Sequence, residues 1–252
     1  MTATSQPHVE RALEVVDAER TLLERERAAF ERFLRRADRA QVAAASGPDL
    51  GPGQSTLVTS DSPPDGLREL RAAYRETVMA VSHYDREYGE SLATHAAAEL
   101  GESVAAGLLS GAPPASVVKA AVTDAARDAR GSRADLLAVL DRERDSLLAV
   151  AADLGDLEQS AYELGQRVTA AGRSDELSAI DADLADLERE CTDLLQRRQD
   201  LLHNRSTAAI SGVEDDSLLQ YLYGGLETRC PALTDITACL DSIRSHRTRC
   251  LR

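Results

Sequence analysis

Apolar residues recur every three or four positions along most of the chain, the spacing that gathers them on one side of an α-helix. From Pro7 to about Ala45 they fall at Val9, Leu13, Val16, Leu23, Phe30 and Leu34, with Arg20 and Arg27 in the same register. This is a coiled-coil-like seam with two interruptions. Pro7 suits a first helical turn, and Ser46-Gly47-Pro48 closes the segment. Residues 47–66, rich in Gly, Pro, Ser and Asp, read as a flexible loop or linker. A helix is predicted from Leu67 to Val81, and Ser82 is expected to cap another through His83, Tyr84 and Tyr88. Two short helices follow, Ser91–Leu100 stopping at Gly101 and Glu102–Leu109 stopping at Gly111.

Pro113-Pro114 opens the longest segment, which is free of proline to Ala171. Within it Leu136, Leu140, Glu143, Leu147, Val150, Leu154, Leu157, Ala161, Leu164, Val168 and Ala171 alternate in steps of four and three. Gly172 then fits a helix stop, and Ser174-Asp175-Glu176 fits a start with acids in the first turn. The register resumes at Leu177, Ile180, Leu184, Leu187, Cys191, Leu194, Arg198 and Leu201. Two heptad segments joined by a tight turn predict an antiparallel hairpin. In that register Leu157 faces Leu187, Leu154 faces Cys191, Val150 faces Leu194 and Leu147 faces Arg198. Glu143 and Arg198, the polar members of the two seams, are expected to lean together and fix the register as an incompletely buried pair. A short helix from Glu214 to Tyr223 and a last one from Pro231 complete the chain.

The predicted fold class is therefore all-α: an elongated antiparallel coiled-coil hairpin with a long N-terminal helix and a cap of shorter helices. The expected divisions are an N-terminal charged helix (1–46), the linker (47–66), a short-helix cap (67–112), the hairpin (113–210) and C-terminal helices packing with the cap (211–252). The composition agrees. Leu and Ala dominate a 43% apolar content, aromatics are 3% and Trp is absent, which suits helix packing better than a β-sandwich.

The formal net charge of −14 argues against nonspecific DNA binding, which needs Lys and Arg to neutralise phosphates. Lys119 is the only lysine, so the basic residues are otherwise arginines. An acid excess with so little lysine points to a halophile, since at about 1 M salt the Debye length is only about 3 Å and repelling carboxylates cost little. No long uncharged apolar run suggests a membrane span, and the polar start shows no secretory pattern. A cytoplasmic chain is expected, with Cys191, Cys230, Cys239 and Cys250 reduced.

Residues 67–101 (LRELRAAYRETVMAVSHYDREYGESLATHAAAELG) and 217–247 (SLLQYLYGGLETRCPALTDITACLDSIRSHR) resemble an uncharacterised haloarchaeal family of helical, coiled-coil proteins known as a domain of unknown function. The likeness covers most of the chain and rests on layout and on the YRETVMAV-x-HY segment. It implies an all-helical intracellular protein and carries over no functional residue.

Tyr74, His83, Tyr84 and Tyr88 form the candidate polar site. His83 could serve as acid, base or ligand, or the tyrosines could simply bury their rings at a helix corner; the packing corner is the preferred reading. Arg244, His246, Arg247, Arg249 and Arg252 form a basic tail that could meet nucleic acid, or could only complement a helix C-terminus. The cysteine spacings are not those of zinc knuckles, so neither a metal nor a cofactor is expected. Phosphate-loop and G-x-S-x-G motifs are absent. The expected function is a non-enzymatic structural or protein-interaction module, its partner a second protein or another copy of itself. The alternatives are a nucleic-acid-associated regulator using the tail and an enzyme with its site at Tyr74–Tyr88.

Overall fold

The computed structural model describes residues 7–40, 65–207 and 215–251. Residues 47–64 of the predicted linker, the break at Ser211-Gly212 and Arg252 lie outside them, whereas Asp65 and Gly66, read as the end of that linker, open a helix. Among the described residues every regular element is a helix: α1 (His8–Arg39), α2 (Asp65–Thr77), α3 (Tyr84–Glu87), α4 (Leu92–Leu100), α5 (Glu102–Ser110), α6 (Ala115–Ala170), α7 (Ser174–Thr207), α8 (Asp215–Tyr223) and α9 (Pro231–Cys250). None is long and apolar enough to cross a membrane. The chain divides into two compact units, one of Arg20–Val139 and the other of the residues up to Glu19 with those from Leu140 onward.

The core of the Arg20–Val139 unit sets three aromatic rings, Phe30, Phe33 and Tyr74, among alanines, leucines and valines. Phe30, Phe33, Leu34 and Ala37 of α1 join Leu67, Leu70 and Tyr74 of α2, Leu92 and Ala96 of α4, Leu108 of α5, and Val118, Val122 and Ala126 of α6. The sequence put Arg27 on the buried side of α1, but Arg27 is exposed and the buried stripe runs through Leu23, Ala29, Phe30, Phe33, Ala37 and Ala40. Helix ends follow the local chemistry. Ser91 Oγ accepts from the N–H of Thr94 (3.2 Å) and caps α4. Gly101 (φ +88°) and Gly111 (φ +68°) end α4 and α5 in backbone that a side chain would strain. Lys119 Nζ donates to the carbonyls of Asp38 (3.4 Å) and Ala40 (2.7 Å), so the chain's one lysine serves the open carbonyl end of α1.

The helix predicted to reach Val81 stops at Thr77. There the N–H groups of Val78 (2.9 Å) and Met79 (3.2 Å) both turn onto the carbonyl of Tyr74. Val81 is still buried, against Ala29 and Tyr84. His83, not Ser82, stands at the N-cap of α3, while Ser82 Oγ accepts from Arg25 (3.1 Å).

In the second unit, every heptad position of α6 from Leu140 to Val168 and of α7 from Ile180 to Arg198 is buried. Upstream, in the Arg20–Val139 unit, the register shifts by one: Leu137, not the expected Leu136, is buried. Ion pairs join the two helices at Arg167–Asp183 (3.3 Å), Asp153–Arg197 (3.2 Å) and Glu143–Arg198 (2.7 Å). Residue numbers fall along α6 as they rise along α7. Helix α9 packs along α7, where Cys191 Sγ donates to the carbonyl of Ile236 (3.5 Å). The first turns of α1 are tied down by Asp235 Oδ2, which accepts from the N–H of Val9 (2.8 Å), and by Arg144, which pairs with Asp17 (2.7 Å).

Candidate functional site

The four residues singled out in the sequence converge, and the structure adds a fifth ring and three charges. His95, on α4, is the centre. Its ring meets Tyr74, Tyr84 and Tyr88 edge-on at centroid separations of 5.8, 5.1 and 5.1 Å. Tyr74 Oη lies 3.0 Å from His95 Nδ1. His95 occupies the buried stripe of α4 with Leu92, Ala96 and Leu100, so a histidine at a 3–4 position of an Ala-rich helix was the signal that sequence reasoning passed over.

Glu26 of α1 is the second centre. Its Oε1 accepts from His83 Nε2 (3.0 Å) and from Tyr88 Oη (2.9 Å), and its Oε2 accepts from Arg133 Nε (3.2 Å). Arg133 of α6 also donates to Glu99 of α4 (2.7 Å) and lies over the Phe30 ring at 5.0 Å. Glu26 and Arg133 interrupt buried stripes in sequence: Leu23–Glu26–Phe30 on α1 and Ala129–Arg133–Leu137 on α6. A charge on an apolar stripe needs a partner, and these two find each other.

Local backbone places the tyrosines. Gly89 adopts φ +57° just after Tyr88, and its N–H returns to the carbonyl of Tyr84 (3.0 Å). Tyr84 Oη donates to the carbonyl of Glu90 (3.1 Å).

The surroundings shift the three phenols and His95 away from their ordinary values. Burial, then the charge of Glu99, pushes the Tyr74 phenol far up. Burial and Glu26 do the same for Tyr88, and burial and Glu90 raise Tyr84. Burial also lowers His95, against the opposing pull of Glu99 and Glu90. The Tyr74 phenol and His95 Nδ1 thus share a hydrogen bond between two uncharged groups. Burial alone would lower Arg133, but its bonds and charge pairing with Glu99 and Glu26 outweigh that and raise it. His83 Nδ1 is buried without a hydrogen-bond partner among the described residues. The Glu26 carboxylate ties α1 to the two cap residues of α3 and to α6, and Arg133 extends the link to Glu99 of α4. No group of three His, Cys, Asp or Glu among the described residues is placed to hold a metal ion.

The basic tail is engaged within the chain. Arg244 donates to Glu188 (2.7 Å), and Arg247 donates to Asp181 (3.1 Å) and Glu188 (2.6 Å). Arg249 contacts His246. These bonds hold the Glu188 carboxyl below its usual range. The Cys239 thiol is pushed up, by its interaction with Cys191 first and by burial after. All four cysteines are free thiols.

A family model described as Domain of unknown function (DUF7260) matches residues 7–247. No curated protein and no solved structure matches the chain.

Proposed function

Starting from the fact that the chain belongs to this family, described as a domain of unknown function (DUF7260), we propose that it is a non-enzymatic structural or protein-interaction module. One observation carries the reading: Glu26, His83 Nε2, Tyr88, Arg133 and Glu99 bond to one another across α1, α3, α4 and α6, with His83 Nδ1 the one buried polar atom of the cluster without a partner among the described residues. A largely buried carboxylate with three donors and phenols whose pKa is raised are suited to fixing helices in place. They are poorly suited to taking a proton from a substrate, which needs a group poised near the working pH.

The same reading assigns α6 and α7 to an antiparallel coiled-coil hairpin that offers long faces to a partner. Its support is the unbroken run of buried heptad positions and the ion pairs between the two helices. The acid excess and single lysine support a setting of molar salt, in the cytoplasm of a halophilic archaeon, with reduced cysteines. The nucleic-acid reading is less favoured because Arg244 and Arg247 spend their charge on Glu188 and Asp181.

The test is affinity capture with the tagged full chain in molar salt, beside native mass spectrometry of the purified protein. Specific retention of a protein partner, or a defined homo-oligomer, is expected. A small molecule held stoichiometrically and lost in His83→Asn or Tyr88→Phe would overturn the reading in favour of a ligand-binding or catalytic site.

A further inference from the structure

Within the unit that holds α7 and the part of α6 from Leu140 onward, the two helices present two different flanks beside their common apolar seam. On α7 one flank carries Asp181 and Glu188, and α9 lies there. Helix α9 is an amphipathic helix of defined chemistry. Its buried side carries Ile236, Leu240 and Ile243, and its arginines Arg244 and Arg247 reach over to those two carboxylates. On α6 the same flank carries Gly165, against which the His246 ring is seated.

The opposite flank is a groove of about 320 Å³. Leu157, Leu187 and Leu194 form its floor, and carboxylates line both walls, Asp156 from α6 and Glu190 and Asp193 from α7. The ion pair of Asp153 with Arg197 crosses it. By the 3.5-residue repeat, positions 190 and 193 of α7 stand on the other side of the seam from 181 and 188. The groove shares two features with the seat of α9: it lies beside the α6–α7 seam, and α7 borders it with two carboxylates.

We propose that this groove is a docking site for an arginine-bearing amphipathic helix of a partner protein, seated as α9 is seated on the other flank. Helix-in-groove binding places apolar anchors at i, i+3/i+4 and i+7 on the floor. Arginines flanking that stripe meet the carboxylates on either wall, and bidentate guanidinium–carboxylate bonds survive in molar salt because they act at contact distance. The proposal rests on the interaction-module reading and gives that module a partner class.

The probe is a labelled peptide copying residues 231–250 with Cys239 and Cys250 replaced by alanine. It is titrated into the full chain in molar salt and followed by fluorescence anisotropy. Saturable one-to-one binding is expected, weakened at least tenfold by the Asp156→Arg, Asp193→Arg double variant and abolished when the peptide arginines are changed to glutamate. Both substituted positions are exposed, and circular dichroism checks that the variant keeps its helix. Asp175→Arg, exposed and outside the groove, should leave binding unchanged.

Absence of binding would overturn the proposal. So would binding that the groove variant leaves intact, since that is exchange with native α9 on the other flank. A dimer in sedimentation equilibrium that disappears in the groove variant, without peptide binding, would make the occupant a second copy and also overturn it. Proteins retained equally by wild type and groove variant in the capture experiment would remove the groove while leaving the module reading standing.

Discussion

Arg198 Nη2 stands 2.7 Å from Glu143 Oε1, with both side chains at 3% exposure or less. Arg198 also donates to Ser146 Oγ (2.7 Å), and Tyr223 Oη of α8 donates to the same Glu143 oxygen (2.6 Å). The sequence predicted the pairing but placed it partly in water, worth about 0–1 kcal/mol. Its burial by Tyr223 changes that expectation. Removing one partner leaves an uncompensated charge in the interior, which costs about 3–5 kcal/mol. Glu143→Ala should therefore destabilise as much as a seam leucine lost to alanine, about 2–5 kcal/mol. The double replacement Glu143→Leu, Arg198→Leu should recover most of the loss. Denaturant melts of the three variants check this, and a Glu143→Ala cost below about 1 kcal/mol would contradict it.

Four charged residues teach the same lesson about what the sequence makes legible. Glu143, Arg198, Glu26 and Arg133 each occupy a buried stripe. The first two stand out because long heptads surround them, so their meeting could be predicted. The second two lie where alanine shares the buried stripe, Ala29 and Ala37 on α1 and Ala126 and Ala129 on α6, and alanine on both faces blurs the register; hence the spacing points to Arg27 where Glu26 stands. Helix ends were readable wherever glycine, proline or serine sets the local backbone, as at Ser91, Gly101, Gly111, Gly172 and Pro231. The end of α2 was not, because Thr77-Val78 continues the apolar spacing while the backbone turns away. Which flank of α7 receives α9 depends on pairing between distant segments, which periodicity alone does not encode.

The register of α6 against α7 has a covalent test. With Leu157→Cys and Leu187→Cys in a background lacking native cysteines, oxidation should link the two within one chain. Links formed only between chains would mean that the heptads pair in an oligomer. Non-reducing electrophoresis over a range of protein concentration separates the two cases.

Salt should govern folding. With a net charge of −14, exposed carboxylates repel at low ionic strength and destabilise the compact state. Dialysis from molar salt into dilute buffer should therefore lower the helical circular dichroism signal, and restored salt should recover it. A cooperative melt of unchanged amplitude in dilute buffer would reject the halophilic assignment.

His95 predicts an acid sensitivity. Burial lowers its pKa from the ordinary 6.5, with Arg133 adding to the effect and Glu99, Glu90 and Glu26 opposing it. The unfolded chain then binds a proton near pH 6.5 that the folded chain refuses, so stability rises with pH across the window below 6.5 and is fully present above it. Thermal melts should show the melting temperature falling as pH drops from 7 to 5. His95→Gln should flatten that slope even if it lowers stability throughout. A wild-type melting temperature independent of pH in this window would show that His95 is not held neutral.

Gly165 lies inside α6, five residues before its C-terminal residue Ala170, where alanine would ordinarily be better by about 1 kcal/mol. A Cβ at that position would overlap the His246 ring, which lies against the bare backbone of α6. The two residues should therefore be coupled. Gly165→Ala alone should destabilise, because the ring must leave a partly buried seat where burial already lowers its pKa. In a His246→Ala background the same change should stabilise, since the clash is gone and the helix-propensity gain remains. A double-mutant cycle by chemical denaturation isolates the coupling. Equal effects of Gly165→Ala in both backgrounds would mean that α9 is not seated on α6 at this point.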